Sequence, residues 1–190
     1  NFPIDSLLSE IQGSSFGAKH KYSHLYSITL PPSLKRIESN AMKGCYFLQE
    51  IIFQKDDQNN TNLIYIGDVA FRDTKIQTIK IPNSIEEIGK ECFPTTLKQI
   101  EFEDGAPRLE KIGEGIFNNT QLETIYMPNN IEPFLNQRRP IYNCKSLKSL
   151  IFDHYLSKTE PPQINENKPN YTLNLSQVQI KNLEIFVSNL

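Results

Sequence analysis

The sequence predicts a solenoid of stacked coils, an α/β-type repeat with short parallel β-strands along one side and turns and short helices on the other. Three observations predict it. First, an aliphatic residue is followed three positions on by Ile, and five further on by a bulky residue behind a small or aliphatic one. This occurs as Leu8, Ile11, Ser15-Phe16; Leu34, Ile37, Ala41-Met42; and Leu63, Ile66, Ala70-Phe71. It returns as Ile85, Ile88, Cys92-Phe93 and as Leu109, Ile112, Ile116-Phe117. Second, each unit alternates with a segment that is apolar at its first, fourth and sixth positions. Third, successive starts of that segment lie 23, 28, 21, 25 and 25 residues apart, a period that signals a repeat architecture.

The apolar segments are Leu25-Ile28-Leu30, Leu48-Ile51-Phe53, Ile76-Ile79-Ile81, Leu97-Ile100-Phe102, Leu122-Ile125-Met127 and Leu147-Leu150-Phe152. Their last two apolar positions alternate with polar ones, the pattern of a short strand with one buried face. Pro31, Pro82 and Pro128 follow three of them directly. Proline has no N–H for a sheet ladder, so it ends each strand there. No single copy buries its own apolar face. Stacking sets each Leu, Ile and Phe on its equivalent in the next coil and builds one continuous core, with the strands in a parallel sheet. The Ile-to-Phe units supply the opposite wall. A sixth unit is distorted: Ile131 and Phe134 keep the first spacing, while the aromatic comes late, at Tyr142.

Composition permits this and excludes other classes. The 190 residues are 38% hydrophobic and 22% charged, enough for one domain with a sizeable core and too ordinary for disorder or a fibre. The formal net charge is -2, and the longest basic runs, Lys19-His20-Lys21 and Arg138-Arg139, are too short to track a phosphate backbone. Nucleic acid is therefore not an expected partner. No apolar run approaches the roughly 18–20 residues that span a bilayer, so this segment is not expected to insert into one. The abrupt start at Asn1 and the end in mid-pattern at Leu190 fit a trimmed or processed chain. Cys45, Cys92 and Cys144 are an odd set with no C-x-x-C spacing, which reads as thiols used as small hydrophobes.

These residue types and spacings resemble the BspA-like leucine-rich repeats, whose idealised form is close to L-x-x-I-x-I-P-x-x-[IV]-x-x-I-G-x-x-A-F-x-x-C-x-x-L. The stretch from Ile76 through Ile79, Ile81, Pro82, Ile85 and Ile88 to Gly89 follows it almost letter for letter. Cys45 and Cys144 fall at the motif's cysteine, three before Leu48 and Leu147. The resemblance covers about residues 8–152 and implies a leucine-rich-repeat solenoid, with 1–190 as a single domain. The departures are local. Gly follows the Ile at Gly67, Gly89 and Gly113, but Gln12 and Glu38 stand there in the first two copies. Residues 54–62 replace a two-residue turn with a nine-residue loop, and 134–140 distort the sixth unit.

After Phe152 the pattern breaks. Pro161-Pro162 and Asn165-Glu166-Asn167-Lys168 read as an extended loop. Leu183-Glu184-Ile185-Phe186-Val187 alternates and reads as a further strand, so 153–190 are expected to be a loop plus a capping strand. A T-x-P-P loop before an I-[FY]-V strand resembles the final repeat of BspA-like proteins from Bacteroidetes, which implies secretion or surface display.

Catalytic and metal-binding patterns are sparse. His20 and His24 are four apart, but no acidic ligand sits at a known spacing, and His154 is remote; solvated loops are the better reading. Cys45 and Cys144 occupy core-facing repeat positions, where a thiol stays protonated and inert. No G-x-S-x-G elbow, P-loop or G-x-G-x-x-G occurs. Asp56-Asp57 before Asn59-Asn60 lacks EF-hand spacing and reads as a solvated insertion. Asn59, Asn118, Asn170 and Asn174 open N-x-[ST] sequons, which matter only where such sites are glycosylated.

No catalytic, metal or cofactor residues are therefore assigned. The resemblance implies a non-catalytic secreted or cell-surface module that mediates adhesion through a protein or glycan partner. The alternative is a structural spacer that presents another domain. Leucine-rich solenoids bind along the exposed side of their strands, where each repeat adds a row of side chains. The outward column between the buried strand positions reads Thr29, Ile52, Lys80, Glu101, Tyr126, Ile151 and Phe186. The column before it is polar throughout, from Ser27 and Glu50 through Thr124 to Ser149 and Glu184. Tyr126, Ile151 and Phe186 are expected in consecutive coils, about 5 Å apart. Clustered apolar side chains on a sheet face mark an interface, with aromatic anchors. The candidate partner-binding residues are thus Tyr126, Ile151, Phe186, Thr124 and Ile52. β-branched and aromatic residues also suit strands for their own sake, and the loop after Leu156 is long enough to fold over them.

Overall fold

The computed structural model describes residues 3, 6–16, 24–103, 106, 108–127, 133, 141, 143–153 and 170–174, with only the course of the backbone for 126–127, 149–153 and 170–174. The predicted strands are present at the predicted places: β2 (Ser27–Leu30), β4 (Glu50–Phe53), β6 (Thr78–Ile81), β8 (Gln99–Phe102), β10 (Thr124–Met127) and β11 (Ser149–Asp153). β2 pairs with β4, and β6, β8, β10 and β11 pair in turn, all in parallel and in the repeat register. Ile79 lies opposite Ile100, Ile100 opposite Ile125 and Ile125 opposite Leu150.

A second sheet, which the periodicity leaves unseen, runs beside the first. The conserved-spacing Ile residues sit in two-residue strands: β1 (Glu10–Ile11), β3 (Arg36–Ile37), β5 (Tyr65–Ile66), β7 (Glu87–Ile88) and β9 (Lys111–Ile112), paired in parallel in that order. Between the two sheets Leu34, Leu63, Ile85 and Leu109 join Ile37, Ile66, Ile88 and Ile112 in one buried cluster. The strand residues Ile79 and Ile100 belong to it, 5% and 0% exposed. Hydroxyls admitted at the coil corners of this interior are paired. Ser84 Oγ donates to the Leu63 carbonyl of the preceding coil at 2.8 Å and lies 2.8 Å from Thr61 Oγ1. Ser33 does the same for Leu8 at 2.8 Å, so buried carbonyls at the coil corners keep donors.

The wall opposite the main sheet is built from turns, in place of the turns or short helices the sequence allows. Ala41, Lys43 and Cys45 donate their N–H back three residues within the turn, to Glu38, Asn40 and Met42. The alternate residues Asn40, Met42 and Gly44 donate across to Asp68, Ala70 and Arg72 of the next coil at 2.9–3.0 Å. Every second amide thus closes its own turn, and the others sew the coils together. The alternation needs a left-handed residue three after each Ile. Ser14, Asn40, Val69, Glu91 and Gly115 all hold it, with φ between 46° and 63°. Inside this wall Phe71, Phe93 and Phe117 stack ring on ring, 6.2 and 5.7 Å between centroids.

The repeat's glycine follows from how closely the coils approach. A Cβ on Gly67 would collide with the backbone of Glu38 and Ser39, and one on Gly113 with that of Gly89 and Lys90. Glu38 is tolerated in the second coil because Gly13, in the first, is the residue without a side chain; a Cβ there would lie 2.7 Å from Ser39 O.

Two features depart from the simple stack. The main sheet divides into β2-β4 and the five-stranded β12-β11-β10-β8-β6, with no ladder between β4 and β6. Ile51 and Phe53, expected in the core, are accordingly only partly buried. The nine-residue loop that follows Phe53 is the physical reason: it cannot turn directly as the proline turns do. Lys55 in this loop reaches past β6 to Glu103, 2.7 Å away. The second departure is at the C-terminal end, where β12 (Asn170–Asn174) pairs antiparallel with β11 and sets Thr172 opposite Ile151. The strand expected over 183–187 and its Phe186 lie outside the described residues. The position beside Ile151 is thus held by Thr172, in place of the Phe186 that continuing the parallel column predicts.

Candidate functional site

On the main sheet the outward columns are where the sequence places them. Ser27, Glu50, Thr78 and Gln99 are exposed and Thr124 is half-buried. In the next column Lys80 and Glu101 pair at 2.9 Å, and beyond the strands Lys148 pairs with Glu123 at 2.9 Å. That Lys148 bond holds the Glu123 carboxyl below its usual range. The second sheet is equally self-satisfied. The Arg36 guanidinium lies 3.9 Å over the Tyr65 ring and 2.6 Å from Glu38, and Lys111 bonds Glu87 at 2.6 Å, which raises the Lys111 pKa. Charge on these faces is largely spent on neighbours.

Apolar exposure is concentrated elsewhere. Large exposed hydrophobic side chains among the described residues are Leu7, Tyr26, Tyr46, Phe47 and Ile52. All but Leu7 fall between residues 26 and 52, in two adjacent coils. Tyr26 sits just before β2, Tyr46 and Phe47 in the turn that leads to β4, and Ile52 within β4. The Tyr26 and Phe47 rings are 5.7 Å apart, and His24 stacks on the other ring contact of Phe47 at 5.4 Å and 14°. Phe47 remains 42% exposed despite both neighbours, so the three rings form a raised rim at the start of the strands. His24, read from sequence as part of a solvated loop, is exposed but is a member of this aromatic group.

Of the five residues predicted to face a partner, Ile52 is 44% exposed and Thr124 is half-buried. The register sets Tyr126 directly beside Ile151, in consecutive coils as expected. Phe186 lies outside the described residues. The structure thus keeps Tyr126, Ile151 and Thr124 together and places Ile52 three strands away, beyond β6, β8 and the gap, beside the rim. The sequence reading missed Tyr26, Tyr46 and Phe47. Their signal was available: a Tyr-Phe doublet in a turn, where the strand alternation assigns no buried place.

The thiols show no sign of activation. Cys92 is buried in the turn wall, and desolvation pushes its pKa far up. Cys45 is also buried and donates to the Phe16 carbonyl at 2.9 Å. Cys144 departs from the expected core placement. It is partly exposed, and burial still raises its pKa. Its thiol donates to the Phe117 carbonyl at 2.9 Å, while Thr120 and Thr74 close their own turns by bonds to Phe117 and Phe71. The cysteines at this motif position thus donate to a carbonyl of the preceding coil, whereas the threonines that replace them close their own turns. In the insertion, Asp56 Oδ1 accepts the amides of Gln58 and Asn60, so this carboxylate organises its own loop. Among the described residues no group of three or more His, Cys, Asp or Glu side chains could hold a metal ion. His20 and His154 lie outside the described residues.

Two sheets of parallel repeat strands, turns sewn coil to coil and, among the described residues, a rim of exposed rings define a leucine-rich-repeat solenoid of the interaction-module class. A family model for the BspA type leucine rich repeat region matches residues 9–148 in six copies, and the chain belongs to that family. Its repeats are generally non-catalytic. Among solved structures the chain is similar to a leucine-rich repeat protein from Bacteroides ovatus, with 22% identity and a TM-score of 0.46. The match covers 79% of this chain and 44% of that one, so the chain spans less than half the length of this relative. No curated protein matches. Among the described residues no helix is long and apolar enough to cross a membrane.

Proposed function

We propose that the chain is a non-catalytic binding module of a secreted or cell-surface protein, and that it docks a protein partner on the exposed side of its main sheet. The observation that supports this is the concentration of exposed Tyr26, Tyr46, Phe47 and Ile52 in two adjacent coils, while polar side chains elsewhere pair with one another. Rigidly held aromatic rings lose little entropy on docking and are the usual anchors of protein interfaces. Tyr126 and Ile151 lie side by side in backbone register, beside Thr124, and are a second candidate contact on the same sheet. A plain spacer gains nothing from exposed rings, which lower its solubility. Adhesion to host or bacterial-surface protein is the biological setting that the family membership favours.

The test is binding of the chain to an immobilised panel of extracellular-matrix proteins, with Tyr26→Ser/Phe47→Ser and Tyr126→Ser/Ile151→Ser variants. Loss of an anchor ring weakens binding at least tenfold, since hot-spot truncations cost about 2 kcal/mol or more. Circular dichroism melting of each variant confirms that the coils remain folded. Binding that survives in both double variants rules the surface out.

A further inference from the structure

The turn wall contains a polar hollow where the turn after one wall aromatic is one residue shorter than in the coils beside it. From Ile76 to Leu97 the repeat is 21 residues, the shortest in the chain. In the coils on either side the wall aromatic is followed by a full turn, Phe71-Arg72-Asp73-Thr74 and Phe117-Asn118-Asn119-Thr120. Asp73 and Asn119 are left-handed there, at φ 63° and 59°, and Thr74 and Thr120 bond back to the aromatic carbonyls at 2.9 Å. In the short coil Pro94 follows Phe93, and Leu97 N already bonds the Pro94 carbonyl at 3.1 Å. Proline is fixed near a φ of about −65° and has no N–H, so the chain takes the shorter path to the strand. The two full turns stand proud on either side. The space between them is lined by Arg72 and Asp73 from one coil, Asn118 and Asn119 from the other, and Glu91 and Thr95 from the short coil, over the Phe93 ring.

We infer that this hollow is a second binding site, and that it takes one ring of a neutral sugar. The two flanking turns are two coil spacings apart, about 10 Å, room for a single six-membered ring. Six of the seven lining residues carry hydrogen-bonding side chains: two carboxylates, two carboxamides, a guanidinium and a hydroxyl. These planar groups match adjacent hydroxyls, and Phe93 gives the floor an apolar patch. The charge argues against an anion: Arg72 is bonded to Glu91 at 2.7 Å, and Asp73 is left over. Both partners of that pair are about half exposed, 48% and 50%, which leaves them accessible to a ligand. The Asn118 side-chain oxygen is buried at the margin with no donor. A small rotation of that carboxamide presents it to a ring hydroxyl, the donor it lacks.

Saturation-transfer NMR on the whole chain, with methyl glycosides of glucose, galactose, mannose, fucose and N-acetylglucosamine, tests this. Thr95 is exposed at the mouth, so Thr95→Trp fills the hollow without entering the core, and Arg72→Ala removes one wall. The expected result is transfer to at least one glycoside, weakened at least tenfold by Thr95→Trp and reduced by Arg72→Ala. The Tyr26→Ser/Phe47→Ser variant keeps it, which separates this site from the protein-docking rim. No transfer to any glycoside overturns the inference. So does transfer that survives both wall variants, or displacement of the glycoside by inorganic phosphate, which marks an anion site.

Discussion

At the scale of single residues, close packing between coils dominates the chemistry. A Cβ at Gly89 would fall on the backbone of Gly67 and Asp68, with no flexible side chain as the only obstacle. Gly89→Ala is therefore expected to lower stability by about 1–3 kcal/mol through overpacking, as read by urea denaturation. Unchanged stability would mean that the coils are further apart than described. Ile100→Ala, in the ladder between Ile79 and Ile125, removes a fully buried side chain and costs about 2–5 kcal/mol in the same assay. The thiols give a prediction with a sign. Burial raises the Cys92 pKa above its ordinary 9.0, so the folded state keeps a proton that the unfolded state loses. Stability from this group is intact below pH 9.0 and falls as pH rises beyond it. A native-state thiol reagent should modify Cys144 first and Cys92 only on unfolding; equal rates at both would contradict the burial difference.

Among elements, the loop over residues 54–62 has the largest consequence. It breaks the main sheet between β4 and β6, and in doing so leaves Ile51 and Phe53 partly uncovered. Lys55 compensates by tying the loop to Glu103, whose side chain is only 12% exposed. Lys55→Met leaves that carboxylate nearly buried and unpaired by this partner, and is expected to cost about 1–3 kcal/mol. Lys80→Met, which removes an exposed pair, should cost much less because water screens and replaces it. Comparing the two urea midpoints checks the difference. Equal effects would show that the loop does not bear on the sheet. The strands themselves were legible from the alternation of Ile79, Ile81, Ile100 and Phe102 with polar residues. The second sheet was not, because two-residue strands such as Glu87–Ile88 are too short to show any period.

For the whole molecule, stability is the sum of coils and the interfaces between them, so it is expected to be graded along the stack. Amides that cross between central coils, such as Gly89 N to Ile66 O and Gly113 N to Ile88 O, both at 2.7 Å, should exchange slowest with solvent. Ser14 N, whose bond to Asn40 O is longer at 3.2 Å, should exchange faster. Hydrogen exchange read by mass spectrometry checks this; uniform protection would indicate a single all-or-none unit. The same grading bears on function. The aromatic rim lies in the first two described coils, and the polar hollow lies in the turn wall between the third and fifth.

By itself the sequence determined the class of fold, the six parallel strands of the main sheet and most of the core residues, such as Leu34, Ile79 and Ile125. It could do so because those features repeat: a side chain buried in every coil leaves a period that needs no knowledge of the neighbours. What only the tertiary structure decided depends on differences between adjacent coils. The rim of His24, Tyr26 and Phe47 exists because rings from two turns meet at 5.4 and 5.7 Å. The gap beside β4 exists because a long loop displaces one turn, and the hollow at Phe93 because one coil is shorter than those beside it. At the C-terminal end, a strand over 170–174 that turns back antiparallel took the place that a continued parallel column assigned to Phe186. Pairing partners there are chosen by contact across space, and no local period encodes that choice.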